Sequence, residues 1–364
     1  MTPRGKVKVL VVDDSVVVRR MVTDGLAQDP DIEVVGSASN GRIALNRMPQ
    51  LAPDVITLDV EMPELDGLAT LRELRKSYPR LPVIMFSTLT LRGGTATLDA
   101  LAMGASDYVT KPSNVGSIGA AKEAIRQELI PKIKTLCGFR SKIDPPLVPL
   151  SGVRTLPSLQ SRPRTSKVEI ITIGVSTGGP NALAAVIPAL PKDLPVPVVI
   201  VQHMPPVFTR LLAERLATLS NHPVMEASDG DRPRPGSIWI APGGSHTILS
   251  RESGEVVLRL HHGPMENSCR PSVDVLFRSA AEVYGAGTLA VILTGMGKDG
   301  FDACRLVHSA GGQVLAQDEP TSVVWGMPGF VVRGGLADAV LPLSSVAPEI
   351  IARARRGRIT PFRY

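Results

Sequence analysis

The chain has 364 residues, 43 % of them hydrophobic and only 4 % aromatic, and a formal net charge of +6. That length suits two domains better than one, and the scarcity of aromatics leaves Val, Ile, Leu and Ala to fill the cores, as in α/β folds with buried parallel strands. No apolar run approaches the ~20 residues that span a bilayer, and Cys137, Cys269 and Cys304 lack the CxxC spacing of a disulfide framework or zinc site.

The N-terminus, "MTPRGKVKVLVV", enters a strand pattern with no cleavage site, so a cytoplasmic protein with no membrane insertion is expected. From Lys6 to about Leu136, short β-rich runs alternate with helical stretches. "KVLVV", "IEVVGSA", "DVITLDV", "PVIMFS" and "DYVT" read as strands; "DGLATLRELRKS" and "TLDALAMG" read as helices. Five βα units in one domain, residues 1–136, form a doubly wound, mainly parallel sheet. Residues 137–167 are rich in Pro, Ser and Arg without apolar periodicity and read as a linker. The alternation restarts at Val168, with strands in "VEIITIGVS", "VPVVIVQHM", "SIWIAPGG", "VVLRLHH", "TLAVILTGMG" and "GGQVLAQDE". Helical patterns lie in "NALAAVIPAL", "FTRLLAERLATL", "SVDVLFRSAAEVYG" and "FDACRLVHSA". Near-continuous apolar strands imply a second, larger, mainly parallel α/β domain over 168–352. Residues 353–364 form a basic tail, read as solvated rather than as a nucleic-acid site.

In the first domain, acidic residues fall at strand C-terminal ends, which border the ligand crevice of an open α/β sheet. Asp13 and Asp14 close the first strand and Asp59 closes the third. Carboxylates converging there repel unless a hard cation neutralises them, and Mg²⁺ prefers oxygen ligands. Ser87 offers a hydroxyl at the next strand end, and Lys111 a cation after "DYVT". Each alone is an ordinary cap or turn residue; five at four strand ends point to a site. "VVDDS", "LDVEMPELDG", "PVIMFS" and "TKPS" resemble the motifs of two-component receiver domains, over about residues 5–125. The resemblance implies a flavodoxin-like fold with Asp59 as phosphoacceptor. It implies Mg²⁺ held by Asp14, Asp59 and the backbone carbonyl of Glu61, with Asp13 nearby, Ser87 as switch hydroxyl and Lys111 as phosphoryl-binding cation. Tyr108, two residues before the "TKP" turn, is a further candidate to move with the switch.

In the second domain, "GVSTGGPNAL" runs from Gly174 to Leu183. A P-loop needs GK[ST] where Pro180 follows Gly179, and a dinucleotide fingerprint needs a glycine where Ser176 stands. "GVSTG" does match G-x-S-x-G, the turn that lifts a nucleophilic serine above a sheet, although a plain strand-to-helix turn has the same composition. Pro180 suits the first helical turn, so Ser176 lies just ahead of a helix N-terminus whose N–H groups favour an anion. A nucleophilic serine needs a base. His203 ends the next strand and should reach the same sheet edge. Asp299, in the glycine loop "LTGMGKDG" after another strand, is the candidate to accept His203 Nδ1–H. Asp229, Asp231 and Asp274 are rivals that end no strand. The order Ser, His, Asp differs from the Ser, Asp, His of ordinary α/β-hydrolases.

"GVSTGGP", "VQHMPP", "IAPGGSH", "CRPSVDVLFRSAA", "ILTGMGKDG" and "LAQDEPTSVVWGMPG" resemble the catalytic domain of the chemotaxis protein-glutamate methylesterase, or CheB, family. The resemblance covers about residues 168–350 and implies a Rossmann-like catalytic domain. It implies Ser176 as nucleophile, His203 as base, Asp299 as orienting carboxylate, and Thr177 and Met296 as oxyanion neighbours. The implied substrates are glutamate methyl esters, and in part glutamines, on the cytoplasmic helical bundle of chemoreceptors, with no cofactor in the hydrolase half. The implied phosphodonor is a chemotaxis histidine kinase, and the unphosphorylated receiver is expected to inhibit the esterase. Two other classes compete. A DNA-binding output domain needs a helix-turn-helix or a basic recognition face, and neither is found after Val168. A serine esterase for small molecules would use the same triad.

Overall fold

The computed structural model describes residues 5–111, 123, 125–138, 167–220 and 222–356. Pro112 of the "TKPS" run, most of the linker (139–166) and residues 357–364 of the basic tail lie outside them. The chain divides into two compact units, Met1–Leu147 and Val148–Tyr364.

The first unit alternates β1 (Val7–Val12), α1 (Val16–Leu26), β2 (Ile32–Ala38), α2 (Gly41–Leu51), β3 (Val55–Asp59), α3 (Gly67–Ser77), β4 (Val83–Ser87), α4 (Leu91–Ala102) and β5 (Asp107–Thr110), and ends in α5 (Ile130–Leu136). Each of the first four helices starts where a short polar side chain caps its open N–H groups. Ser15, Asn40, Asp66 and Thr90 accept from Val18, Ile43, Ala69 and Gly93. The strands pair in parallel in the order β2-β1-β3-β4-β5. Val9, Leu10, Val55, Ile56, Ile84 and Met85 lie fully buried, because helices cover both faces of the sheet.

The second unit runs β6 (Ile170–Val175), α6 (Gly179–Val186), β7 (Val198–Gln202), α7 (Phe208–Leu219), β8 (Val224–Glu226), β9 (Ile238–Ile240), β10 (His246–Glu252), β11 (Glu255–His261), α8 (Val273–Tyr284), β12 (Thr288–Ile292), α9 (Phe301–Ser309), β13 (Gln313–Gln317), α10 (Met327–Arg333), β14 (Ala339–Leu341) and α11 (Leu343–Arg355). Seven strands form a parallel sheet in the order β14-β13-β12-β6-β7-β9-β8. "VVLRLHH" is not one of them. It pairs antiparallel with β10 in a separate ribbon. β10 is hidden in the sequence because polar residues interrupt its apolar alternation.

In each sheet one strand has neighbours that lead the chain in opposite directions. β1 lies between β2 and β3, and β6 between β7 and β12. Such switch points leave a crevice at the strands' carboxyl ends, and the sequence candidates cluster at both.

Candidate active site

Ser176 follows β6 in the turn to α6. Its N–H donates to Thr294 O at 3.0 Å, and its own carbonyl accepts from Gly179 N at 2.7 Å and Gln202 Nε2 at 3.1 Å. The serine is therefore held from the ends of both neighbouring strands. Gly178 takes φ +77°, a left-handed turn that would strain a residue with a Cβ. At Gly295 a Cβ would come within 2.9 Å of Ser176 Cβ and 2.3 Å of Met327 Sδ, so only glycine lets the loop after β12 approach the serine. That loop carries Met296. Thr177 is buried, and its carbonyl accepts from Thr294 Oγ1 at 2.9 Å.

His203 follows β7, and its N–H donates to Val175 O at 3.2 Å, which sets it beside the serine turn. Its ring meets Asp299 at 2.8 Å through Nε2, not through the Nδ1 expected from sequence. The backbone path of each strand end, not local spacing, decides which nitrogen turns to the carboxylate. Nδ1 faces Cys269 Sγ at 3.6 Å. No hydrogen bond joins Ser176 Oγ to His203 or to any other described residue. Such contacts often form only with substrate bound.

Asp299 is 2 % exposed and is held by five donors. Oδ1 accepts from Ser272 Oγ at 2.7 Å, Asn267 Nδ2 at 2.9 Å and Asp274 N at 3.2 Å; Oδ2 accepts from Val273 N at 2.6 Å and from His203. It sits at the N-terminus of α8, where open N–H groups and the helix dipole favour an anion. Burial opposes its charge, yet the His203 contact and the Ser272 and Val273 donors pull its pKa down to about 2. For His203, burial penalises the charged ring, but the Asp299 and Cys269 contacts outweigh that and raise its pKa above the ordinary 6.5. The rival carboxylates have other partners than His203. Asp229 pairs with Arg259, and Asp231 accepts from Ser228 N. Asp274 binds Asn267 Nδ2 and Ala303 N, and burial raises it to about 6.

At the first switch point, Lys111 Nζ lies 2.9 Å from Asp13 Oδ2 and 2.7 Å from Asp59 Oδ2. Both carboxylates are 2 % exposed. Burial raises Asp59 to about 6 against the pull of Lys111, and the Asp13 charge adds to the rise. Asp13, Asp14 and Asp59 each bring an oxygen within 4.8 Å of the others. Three hard oxygen donors facing one ammonium leave excess negative charge, so the residues fit Mg²⁺. Glu61 N–H donates to Asp59 Oδ1 at 3.3 Å. The buried Ser87 hydroxyl donates to Gly93 O at 3.1 Å, and Lys111 N–H donates to Ser87 O at 2.6 Å. Tyr108 is buried, with Lys132 Nζ 5.1 Å from its ring centroid.

Residues 171–350 match the CheB methylesterase family model and residues 9–122 the response regulator receiver domain model. A protein-glutamate methylesterase/protein-glutamine glutaminase of Trichodesmium erythraeum is 52 % identical over 96 % of this chain and 99 % of its own length. The chain belongs to the CheB family. A Nocardioides relative of the same description is 51 % identical, over 97 % of this chain and 96 % of its own. The Thermotoga maritima CheB methylesterase catalytic domain superposes with a TM-score of 0.50 at 46 % identity, covering 51 % of this chain and 99 % of that one. Among the described residues, no helix is long and apolar enough to cross a membrane.

Two CheB-like motifs support the site through contacts that their local helix and strand patterns do not signal. "LAQDEPTSVVWGMPG" braces the loop beside Ser176: Gln317 Oε1 accepts from Thr294 N at 2.8 Å, and Gly326 and Met327 N–H both donate to Gly295 O. "CRPSVDVLFRSAA" supplies Ser272 and the α8 N-terminus that hold Asp299. Asn267 was missed outright, since nothing in a loop asparagine signals a carboxylate partner 32 residues away.

Proposed function

We propose that the second unit hydrolyses glutamate 5-O-methyl esters on the cytoplasmic helical bundle of chemoreceptors, with Ser176, His203 and Asp299 as its triad. The observation that carries this is the 2.8 Å His203–Asp299 contact beside the Ser176 turn. With Nε2 committed to Asp299, Nδ1 is the nitrogen left to take the Ser176 proton. Ser176 Oγ attacks the ester carbonyl. His203 returns the proton to the departing methoxide, releasing methanol, then takes a proton from the water that attacks the acyl-enzyme and hands it to the departing Ser176 Oγ as glutamate is released. Asp299 stabilises the imidazolium at each stage. Thr177 and Met296 border the developing oxyanion. A receptor glutamine amide passes through the same kind of tetrahedral state, so deamidation follows from the same residues.

The receiver takes a phosphoryl group on Asp59 from a chemotaxis histidine kinase, which relieves an inhibition of the esterase. Asp14, Asp59 and the Glu61 carbonyl would hold Mg²⁺, with Asp13 near, and the ion supplies charge neutralisation during transfer. Lys111 neutralises the phosphoryl oxygens and Ser87 turns toward them as the switch. The domain limits follow this division: receiver 1–136, linker 137–167, catalytic domain 168–352 and tail 353–364.

The test is methanol release from methylated receptor, with and without a small phosphodonor, beside hydrolysis of a small chromogenic ester. Stimulated release from receptor is expected, and a preference for the small ester would favour a general serine esterase. Ser176→Ala should abolish turnover down to the ~10³–10⁴-fold over water that binding and oxyanion contacts sustain. Near-normal turnover removes Ser176 from the mechanism.

A further inference from the structure

Cys269 has no part in the reaction above, yet its thiol contacts the proposed base nitrogen, Sγ to Nδ1 at 3.6 Å. Its position is built. Glu266 and Cys269 exchange both backbone hydrogen bonds, 3.2 and 2.9 Å, across Asn267 and Ser268. Both central residues take positive φ, 52° and 62°, the pattern of a tight two-residue turn. Asn267 is tied in turn to Asp274 and Asp299. Cys269 is only partly buried and the His203 side chain is 13 % exposed, so the pair is open to a small solute. A ligand atom from each of His203, Cys269 and Asp299 falls within one 4.8 Å cluster.

We propose that Cys269 Sγ and His203 Nδ1 form a bidentate site for a thiophilic divalent cation such as Zn²⁺, and that filling it halts the esterase by occupying the base nitrogen. A tetrahedral zinc with Zn–S about 2.3 Å and Zn–N about 2.0–2.1 Å sets its sulfur and nitrogen about 3.6 Å apart, the separation present here. The other ring nitrogen already contacts a buried carboxylate, the arrangement that fixes the tautomer of metal-bound histidines. Binding expels the protons of Sγ and Nδ1 to solvent, and water fills the remaining positions. The receiver's all-oxygen cluster prefers harder cations, so the two sites separate by ligand chemistry. The inhibitory half rests on His203 being the base; the metal-binding half does not.

The test uses the full chain stripped of metal by a chelator. Co²⁺ is titrated while the near-ultraviolet thiolate-to-cobalt absorption is followed, and Zn²⁺ is titrated against methanol release from methylated receptor. A saturable band that Zn²⁺ displaces is expected. It should persist in Ser176→Ala, vanish in Cys269→Ser although Cys137 and Cys304 remain, and need about 10–100-fold more metal in Asp299→Asn. Zn²⁺ should depress methanol release reversibly. In Cys269→Ser the inhibition midpoint should rise at least about tenfold, each variant being scaled to its own metal-free rate. Absence of the band, or its survival in Cys269→Ser, overturns the site. Zn²⁺ inhibition unchanged in Cys269→Ser overturns the inhibitory half. A band in a protein that releases no methanol under any condition overturns the esterase reading and leaves the site standing.

Discussion

At Asp299 one carboxylate gathers a serine hydroxyl, an asparagine amide, two helix N–H groups and an imidazole. The first four donors keep it ionised, and the ionised form raises His203. The proposed base acts only as neutral imidazole, so kcat/KM for demethylation should rise with pH through a midpoint above 6.5. Asp299→Asn should lower the rate by about 10⁴-fold and move the residual midpoint acidward, which a pH–rate profile measures. At Asp59 burial outweighs the ion pair with Lys111, so the sign is opposite to that of an ordinary salt-bridged carboxylate. Its pKa is raised to about 6, so the contribution of its protonated form to stability is full below 3.8 and lost as pH rises through about 6. The ionised carboxylate is therefore a cost at neutral pH. Asp59→Asn should stabilise the metal-free receiver by about 1–3 kcal/mol at pH 7–8, and much less near pH 4, as thermal denaturation would report.

Helix α8 begins at the Asp299 carboxylate. Ser272 stands at its N-cap position, but its hydroxyl donates to Asp299 rather than accepting from the helix. Losing that donor leaves the carboxylate more basic and its hold on imidazolium stronger. Ser272→Ala should cost roughly 1.5–3 kcal/mol in stability and shift the pH–rate midpoint alkaline, opposite to Asp299→Asn. An unshifted midpoint would reduce Ser272 to a helix-end residue. The loop after β12 is constrained more tightly. Gly295→Ala drives a methyl into Met327 and Ser176, so kcat should fall with the serine displaced even where the chain folds. Most of these elements were legible, because apolar runs ending in Asp, Ser, His or Gly mark strand ends locally. β8, β10 and β14 were not. Two are three residues long, and polar residues break the apolar pattern of β10.

At the scale of the molecule, two parallel sheets each place their candidate residues at a switch point, one suited to a phosphoryl group and a cation, the other to an ester. Each unit has its own core. A fragment beginning near Val168 should therefore fold alone and release methanol faster than the unphosphorylated whole chain. Equal or slower release would remove the inhibitory role of the receiver. A complete switch between the two activities requires about 5.5 kcal/mol of differential stabilisation.

Strand periodicity and turn chemistry are local, so residue order alone encodes two α/β units, their succession along the chain and the residues at their strand ends. It also carried the motifs that mark the CheB family. Folding of the whole domain is what brings Nε2 to Asp299, joins Ser272 and Asn267 at that carboxylate, and sets Cys269 against Nδ1 across 66 positions of chain. These follow from strand order and the path of α8. Contacts between distant segments are set by packing the whole sheet, and no local pattern encodes them.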